Sequence, residues 1–132
     1  MQAPSAGNQQ SWHYFVVSNP QIRKELSEVQ QYASPCLKAP LVIVPCMSGE
    51  GIFKEYAIED LSASIENILL EAVSLELGGV WMGIYPREEL VLKVQNILHT
   101  SYIPVALLAI GYPEKVQEQK SRYNKQKVTY LK

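Results

Sequence analysis

The chain has 132 residues, 47% of them apolar and 19% charged, and its 12 basic and 13 acidic residues leave a net charge of −1. That is one domain's worth of chain with enough apolar character to bury a core, which excludes a disordered segment. The near-neutral balance excludes the basic face that nucleic acid requires, and neither a membrane span nor a charged-then-apolar leader is visible.

The chain opens on a polar cluster, APSAGNQQSW at residues 3–12. It is followed by HYFVV (13–17), a β-branched and aromatic run that reads as a strand. Ser18 or Asn19 then caps a helix with Pro20 at its first position, and the helix runs on through IRKELSEVQQYA to residue 33. The two prolines of SPCLKAP (34–40) break it. LVIVPC (41–46) is a second strand, apolar enough to be covered on both faces, and SGEGIFKE (48–55) is a flexible polar loop.

The strongest helix follows, over residues 56–77. Ile58, Leu61, Ile65, Ile68, Ala72 and Leu75 recur at spacings of three and four, and Leu69, Leu70 and Val73 widen the apolar stripe beyond what a surface helix needs. Gly78 and Gly79 stop it. Residues 80–85 (VWMGIY) are then extended, Pro86 starts a helix that runs to residue 98, and IPVALLAI (103–110) is a buried strand closed by Gly111, Tyr112 and Pro113. The tail from residue 114 is polar and ends in the extended run KVTYLK (127–132).

This order predicts an α+β sandwich in which helices cover a small mixed sheet. So thin a sheet under such apolar helices is resolved by a dimer that buries the long helix and exchanges the tail.

Residue chemistry points to no acid–base machinery. No P-loop, dinucleotide fingerprint, nucleophile elbow or zinc motif is present. His13, at a strand start, reads as structural, and His99 sits at a helix C-terminus, where a cation is favourable. Glu55, Glu59, Asp60, Glu66, Glu71 and Glu76 read mostly as the solvated face of the long helix. Cys36 and Cys46 are too few for a disulfide framework and read as buried free thiols of a reducing, cytoplasmic compartment. A chain without such machinery but with an amide-rich turn suits a cofactor that carries the chemistry itself.

Three segments in register carry a family resemblance. APSAGNQQSWHYFVV (3–17), DLSASIENILLEAVSLELGGVWMGIYPREEL (60–90) and IPVALLAIGYPEK (103–115), followed by KSR (120–122), together resemble the FMN-dependent nitroreductase family. The resemblance implies a three-layer α/β/α sandwich assembled as a domain-exchanged homodimer, in which FMN lies between subunits. It implies that Pro4, Ser5, Ala6 and Asn8 line the flavin from the partner subunit, with Gln10 close by. The backbone of Trp81, Met82 and Gly83 faces the isoalloxazine edge, and Lys120 and Arg122 hold the phosphate, Arg as a fork and Lys as a point charge. No side chain is then a catalytic acid or base.

The implied activity is transfer of a hydride from NAD(P)H through FMN to a small electron-poor acceptor such as a nitroaromatic or quinone, in ping-pong fashion. The competing reading is a non-catalytic flavin-binding homologue. The family's R-x-S-x-R element before the turn has no counterpart here, so the chain reads as an N-terminally truncated single domain over residues 1–132. Ser11 stands where the family usually has proline, and Glu76 where it has a small or apolar residue.

Overall fold

The structure is a computed structural model that describes residues 2–115, 118 and 120–131. Its centre is β2 (Leu41–Met47), flanked by β1 (Trp12–Val17) on one side and β5 (Ala106–Gly111) on the other, with β3 (Gly78–Gly83) at the far edge. The two-residue strand β4 (Ile103–Pro104) pairs with the end of β2. Every pairing among the described residues is antiparallel, so the sheet is not the mixed one expected. The tail strand expected over residues 127–132 is also unformed. Lys125–Lys127 make a single 3-10 turn, residues 128–131 are exposed, and Lys132 lies outside the described residues. A strand needs a ladder partner, and one chain offers the tail none.

Pro45 lies in the central strand, where a missing donor would normally forbid it. The register explains its place. Cys46 pairs with Pro104 and Ile43 with Leu108, so Val44 and Pro45 face Val105, Ala106 and Leu107. One extra residue on the β5 side makes a bulge, a usual refuge for proline. The Val105 N–H donates to the Pro45 carbonyl at 2.9 Å, and the Val105 carbonyl accepts from Ile84 N at 2.9 Å and Tyr85 N at 3.2 Å. The bulge therefore pins the chain just beyond Gly83.

Alternation along the strands divides the core into two layers. Val42, Val44, Cys46, Met82, Leu107 and Ala109 pack with Leu26 of α1 (Pro20–Ser27), Val29 just beyond it, Cys36 of α2 (Pro35–Lys38), and Leu90 and Val94 of α4 (Glu88–Leu98). Ile43, Ala106, Leu108 and Ile110 pack with Leu61, Ile65 and Ala72 of α3 (Ala57–Ser74) on the other. The expected three-layer α/β/α arrangement results.

Helix α1 spans Pro20–Ser27, capped by the Asn19 carboxamide, which accepts from Gln21 N and Ile22 N. It stops six residues before the expected end. The Ser27 hydroxyl donates to the Lys24 carbonyl at 2.6 Å, the acceptor that Glu28 N–H would need to continue the helix, and that N–H turns to Glu25 instead. Residues 34–40, expected only as a break, contain the short helix α2 (Pro35–Lys38).

The end of α3 also differs from expectation. Glu76, not glycine, takes the left-handed position at φ 62°, with Leu77 N–H bonded to Ala72 O and Glu76 N–H to Val73 O. This is a Schellman stop, and Gly78 and Gly79 open β3 instead. Helix α4 (Glu88–Leu98) begins two residues after Pro86 and ends on left-handed His99.

Both thiols are buried, and desolvation pushes Cys36 up to about 11 and Cys46 up to about 12. An unfolded thiol ionises near ~8.5. The folded state therefore keeps protons that the unfolded state has lost, and stability falls as pH rises from that value through the folded values. Urea unfolding should show a loss of stability above about pH 9 that shrinks in a Cys36→Ala/Cys46→Ala variant; an identical slope in the variant would contradict it.

Candidate functional site

The opening turn is built by backbone geometry that few residues tolerate. Gly7, Asn8 and Gln10 have φ of 56°, 54° and 48°, inside and just after the 3-10 turn Ala6–Asn8. Asn8 N–H donates to Ser5 O at 2.9 Å and Gln10 N–H to Ser5 Oγ at 3.1 Å, so Ser5 closes the loop from both its backbone and its side chain. Pro4, Asn8 and Gln10 are exposed, and among the described residues neither the Asn8 nor the Gln10 side chain has a hydrogen-bond partner. Ser5 and Ala6 are half-buried.

What holds this turn is a residue expected to be solvated. Asp60, in the first turn of α3, is 7% exposed. Its Oδ1 accepts from Ala6 N–H at 2.9 Å and its Oδ2 from Gln9 Nε2 at 2.8 Å. Gln9 in turn donates to Phe53 O at 2.9 Å and accepts from Phe53 N–H at 3.0 Å. The Phe53 ring lies so close to Gly7 that a Cβ there would meet it at 2.6 Å. Gln9, Phe53 and Asp60 were legible only weakly. Asp60 and Ser64 are four apart and flank the buried positions Leu61 and Ile65, which a helical wheel places on the inner face.

The second candidate segment lies elsewhere. Gly79, Trp81 and Gly83 share the α3 face of β3, since Met82 between them is buried in the opposite layer. A Cβ at Gly79 would meet Leu69 of α3 at 2.5 Å, whereas Gly83 has nothing within 4 Å. The helix thus covers the start of β3 and leaves its end open, with Trp81 40% exposed. The Gly83 carbonyl accepts from Gln30 Nε2 at 2.9 Å.

One chain therefore does not bring the two halves together. The turn leads into β1 and Trp81 to Gly83 lie on β3, the opposite edges of the sheet, about 14 Å apart over three strand spacings. Lys120 and Arg122 lie in the exposed tail.

Residues 32–112 match the profile of the Nitroreductase family. The chain belongs to that family. An Archaeoglobus fulgidus protein assigned as an NADH dehydrogenase/NAD(P)H nitroreductase is 34% identical to this chain over 135 aligned positions, 97% of this chain and 78% of that protein. A solved structure assigned as an NADH oxidase from Clostridium acetobutylicum superposes with TM-score 0.93 at 35% identity, covering 98% of this chain and 80% of the other. The fold is shared as well by an FMN-dependent nitroreductase from Clostridium difficile, at TM-score 0.89 and 24% identity over 98% of this chain and 80% of the other. The nitroreductase fold thus carries both candidate segments. No described helix is long and apolar enough to cross a membrane.

At Gly7, alanine would adopt a left-handed backbone and push against an aromatic ring. Gly7→Ala should destabilise the protein by about 1–3 kcal/mol and displace Phe53, read by denaturant unfolding and by the aromatic NMR signals. Unchanged stability and an unmoved ring would contradict the contact.

Proposed function

We propose that this chain is an NAD(P)H-dependent FMN oxidoreductase that reduces small electron-poor acceptors, nitroaromatics or quinones among them, at a site completed by a second copy. The enzyme class is that of its family. The observation that carries the shared site is the separation of its two halves onto opposite edges of one sheet.

The residues fit a flavin in two parts. The turn offers exposed carboxamides at Asn8 and Gln10, carried on a backbone held left-handed at Gly7, Asn8 and Gln10. The open end of β3 offers an indole and, on the Cβ side of Gly83, space that no neighbouring atom fills, so a flat ring can approach there. When bound, FMN supplies the redox chemistry, taking a hydride from NAD(P)H and passing the electrons on to an acceptor.

The chain's own residues bind and orient. Pro4, Ser5, Asn8 and Gln10 would hold the ribityl side from one copy. Trp81, Met82 and Gly83 would present strand-edge backbone from the other, where an N–H donor favours negative charge on the ring it faces. Ala6 contributes shape only, because its amide is committed to Asp60. Lys120 and Arg122 would hold the phosphate.

The apolar surface left by one chain supports the second copy. Leu70 and Val73 on the outer face of α3 are 59% and 63% exposed. Beside them an open groove of about 790 Å³, lined by Leu41, Ile43, Ile68, Leu75, Leu77 and Ile110, runs between α3 and the sheet. A second copy would cover these side chains and the groove beside them.

Protein mixed with FMN and passed through gel filtration should retain flavin absorption bands, and NAD(P)H should bleach them. Failure to retain flavin at excess FMN would overturn the reading. Lys120→Ala/Arg122→Ala should weaken FMN binding more than tenfold by fluorescence titration, since each charge-assisted bond contributes about 1.5–3 kcal/mol; an unchanged affinity would remove the tail from the site.

A further inference from the structure

We infer, building on the flavin reading above, that Asp60 is a positioning residue: through Ala6 and Gln9 it sets the turn that receives FMN and ties it to the loop around Phe53. The carboxylate is not itself placed against the flavin. It lies behind the turn, with Oδ1 on the Ala6 amide and Oδ2 on the Gln9 carboxamide.

The polarity of the network runs one way. Asp60 can only accept, so Gln9 must turn its NH2 toward it. That same orientation leaves Gln9 Oε1 facing Phe53 N–H at 3.0 Å, while the second Nε2 hydrogen reaches Phe53 O at 2.9 Å. Every polar group of the Gln9 side chain is thereby matched, and each match depends on the carboxylate being an acceptor. An amide at position 60 keeps the shape and breaks the sense. It can still accept from Ala6, but its NH2 then meets the NH2 of Gln9. Turning Gln9 over to relieve that contact sets its NH2 against Phe53 N–H. A polar mismatch beside the buried Asp60 carboxylate site is relieved by a shift of the turn and the Phe53 loop.

The turn has little freedom to absorb such a shift. Gly7, with Phe53 against it, and the left-handed Asn8 and Gln10 all lie within four residues of Ala6. Backbone held in sparsely populated regions persists only where its surroundings over-determine it. Asp60 supplies that determination for this turn.

The test uses Asp60→Asn, Gln9→Glu and the double variant, each read by FMN titration and by amide NMR of the flavin-free protein. Gln9→Glu sets two carboxylates against each other. In the double variant the amide of residue 60 again faces an acceptor. We expect at least a tenfold loss of FMN affinity in each single variant, displaced Ala6 and Phe53 amide signals, and recovery of part of the loss in the double variant, which restores the pairing of residues 9 and 60 but leaves the Phe53 carbonyl without its donor. A role in fold stability alone would lower the unfolding midpoint while leaving the affinity of the folded fraction unchanged. Wild-type binding with unaltered affinity in Asp60→Asn and Gln9→Glu would overturn the positioning role and leave the flavin reading standing. No FMN uptake by the wild type would overturn the flavin reading and this role with it. Should Asp60→Asn fail to fold, Gln9→Glu, altered at a half-buried loop position, decides the matter by the same two readouts.

Discussion

Helix α3 lies across one face of the sheet, and the rest of the molecule is arranged by where it touches. At its start Asp60 reaches back to the opening turn. One turn on, the buried Ser64 hydroxyl meets Tyr14 of β1 at 2.6 Å, and burial raises the Tyr14 phenol above its usual range. Near its end Leu69 settles over Gly79 of β3, where only the absence of a side chain allows so close an approach. The helix thus joins the two edges of the sheet while covering neither half-site. A shift of α3 would move the turn and the β3 edge together, which couples the fold directly to the geometry of the site.

The same helix bears on the proposed second copy. Its inner face is satisfied by Leu61, Ile65 and Ala72, yet Leu70, Val73 and Leu75 point away from that core and are exposed. A soluble helix rarely carries such a stripe without a partner. Among the described residues, 128–131 of the tail are exposed and form no strand. In the proposed dimer, one assembly step covers the helix, engages the tail and brings the turn of one copy to the open end of β3 in the other.

Much of the fold was legible because periodicity reports burial. The three- and four-residue rhythm of α3 and the unbroken apolar runs of β2 and β5 carried the layers. The failures have local causes. Helix α1 ends where Ser27 bonds the Lys24 carbonyl and Glu28 N–H turns to Glu25, local hydrogen bonding that a hydrophobic pattern does not register. The α3 stop falls on Glu76 although two glycines follow, because the Schellman bonds close there before the glycines are reached. Met82 was legible only as part of a strand edge, and its side chain belongs to the core. Asp60 was hidden by its neighbours: in a helix with many exposed acids, one inward-facing carboxylate looks like the others until its partners, more than fifty residues away in sequence, are placed beside it. Gln9 was hidden by the polar cluster around it, where composition alone does not separate a structural carboxamide from the free ones of Asn8 and Gln10.

The central claim is that the flavin site exists only between two copies. Sedimentation velocity of the FMN-loaded protein, followed at a protein wavelength and at a flavin wavelength in the same run, tests it most directly. The account predicts flavin absorbance moving with the dimer boundary and absent from any monomer boundary that dilution produces. Flavin sedimenting with a compact monomer would contradict it.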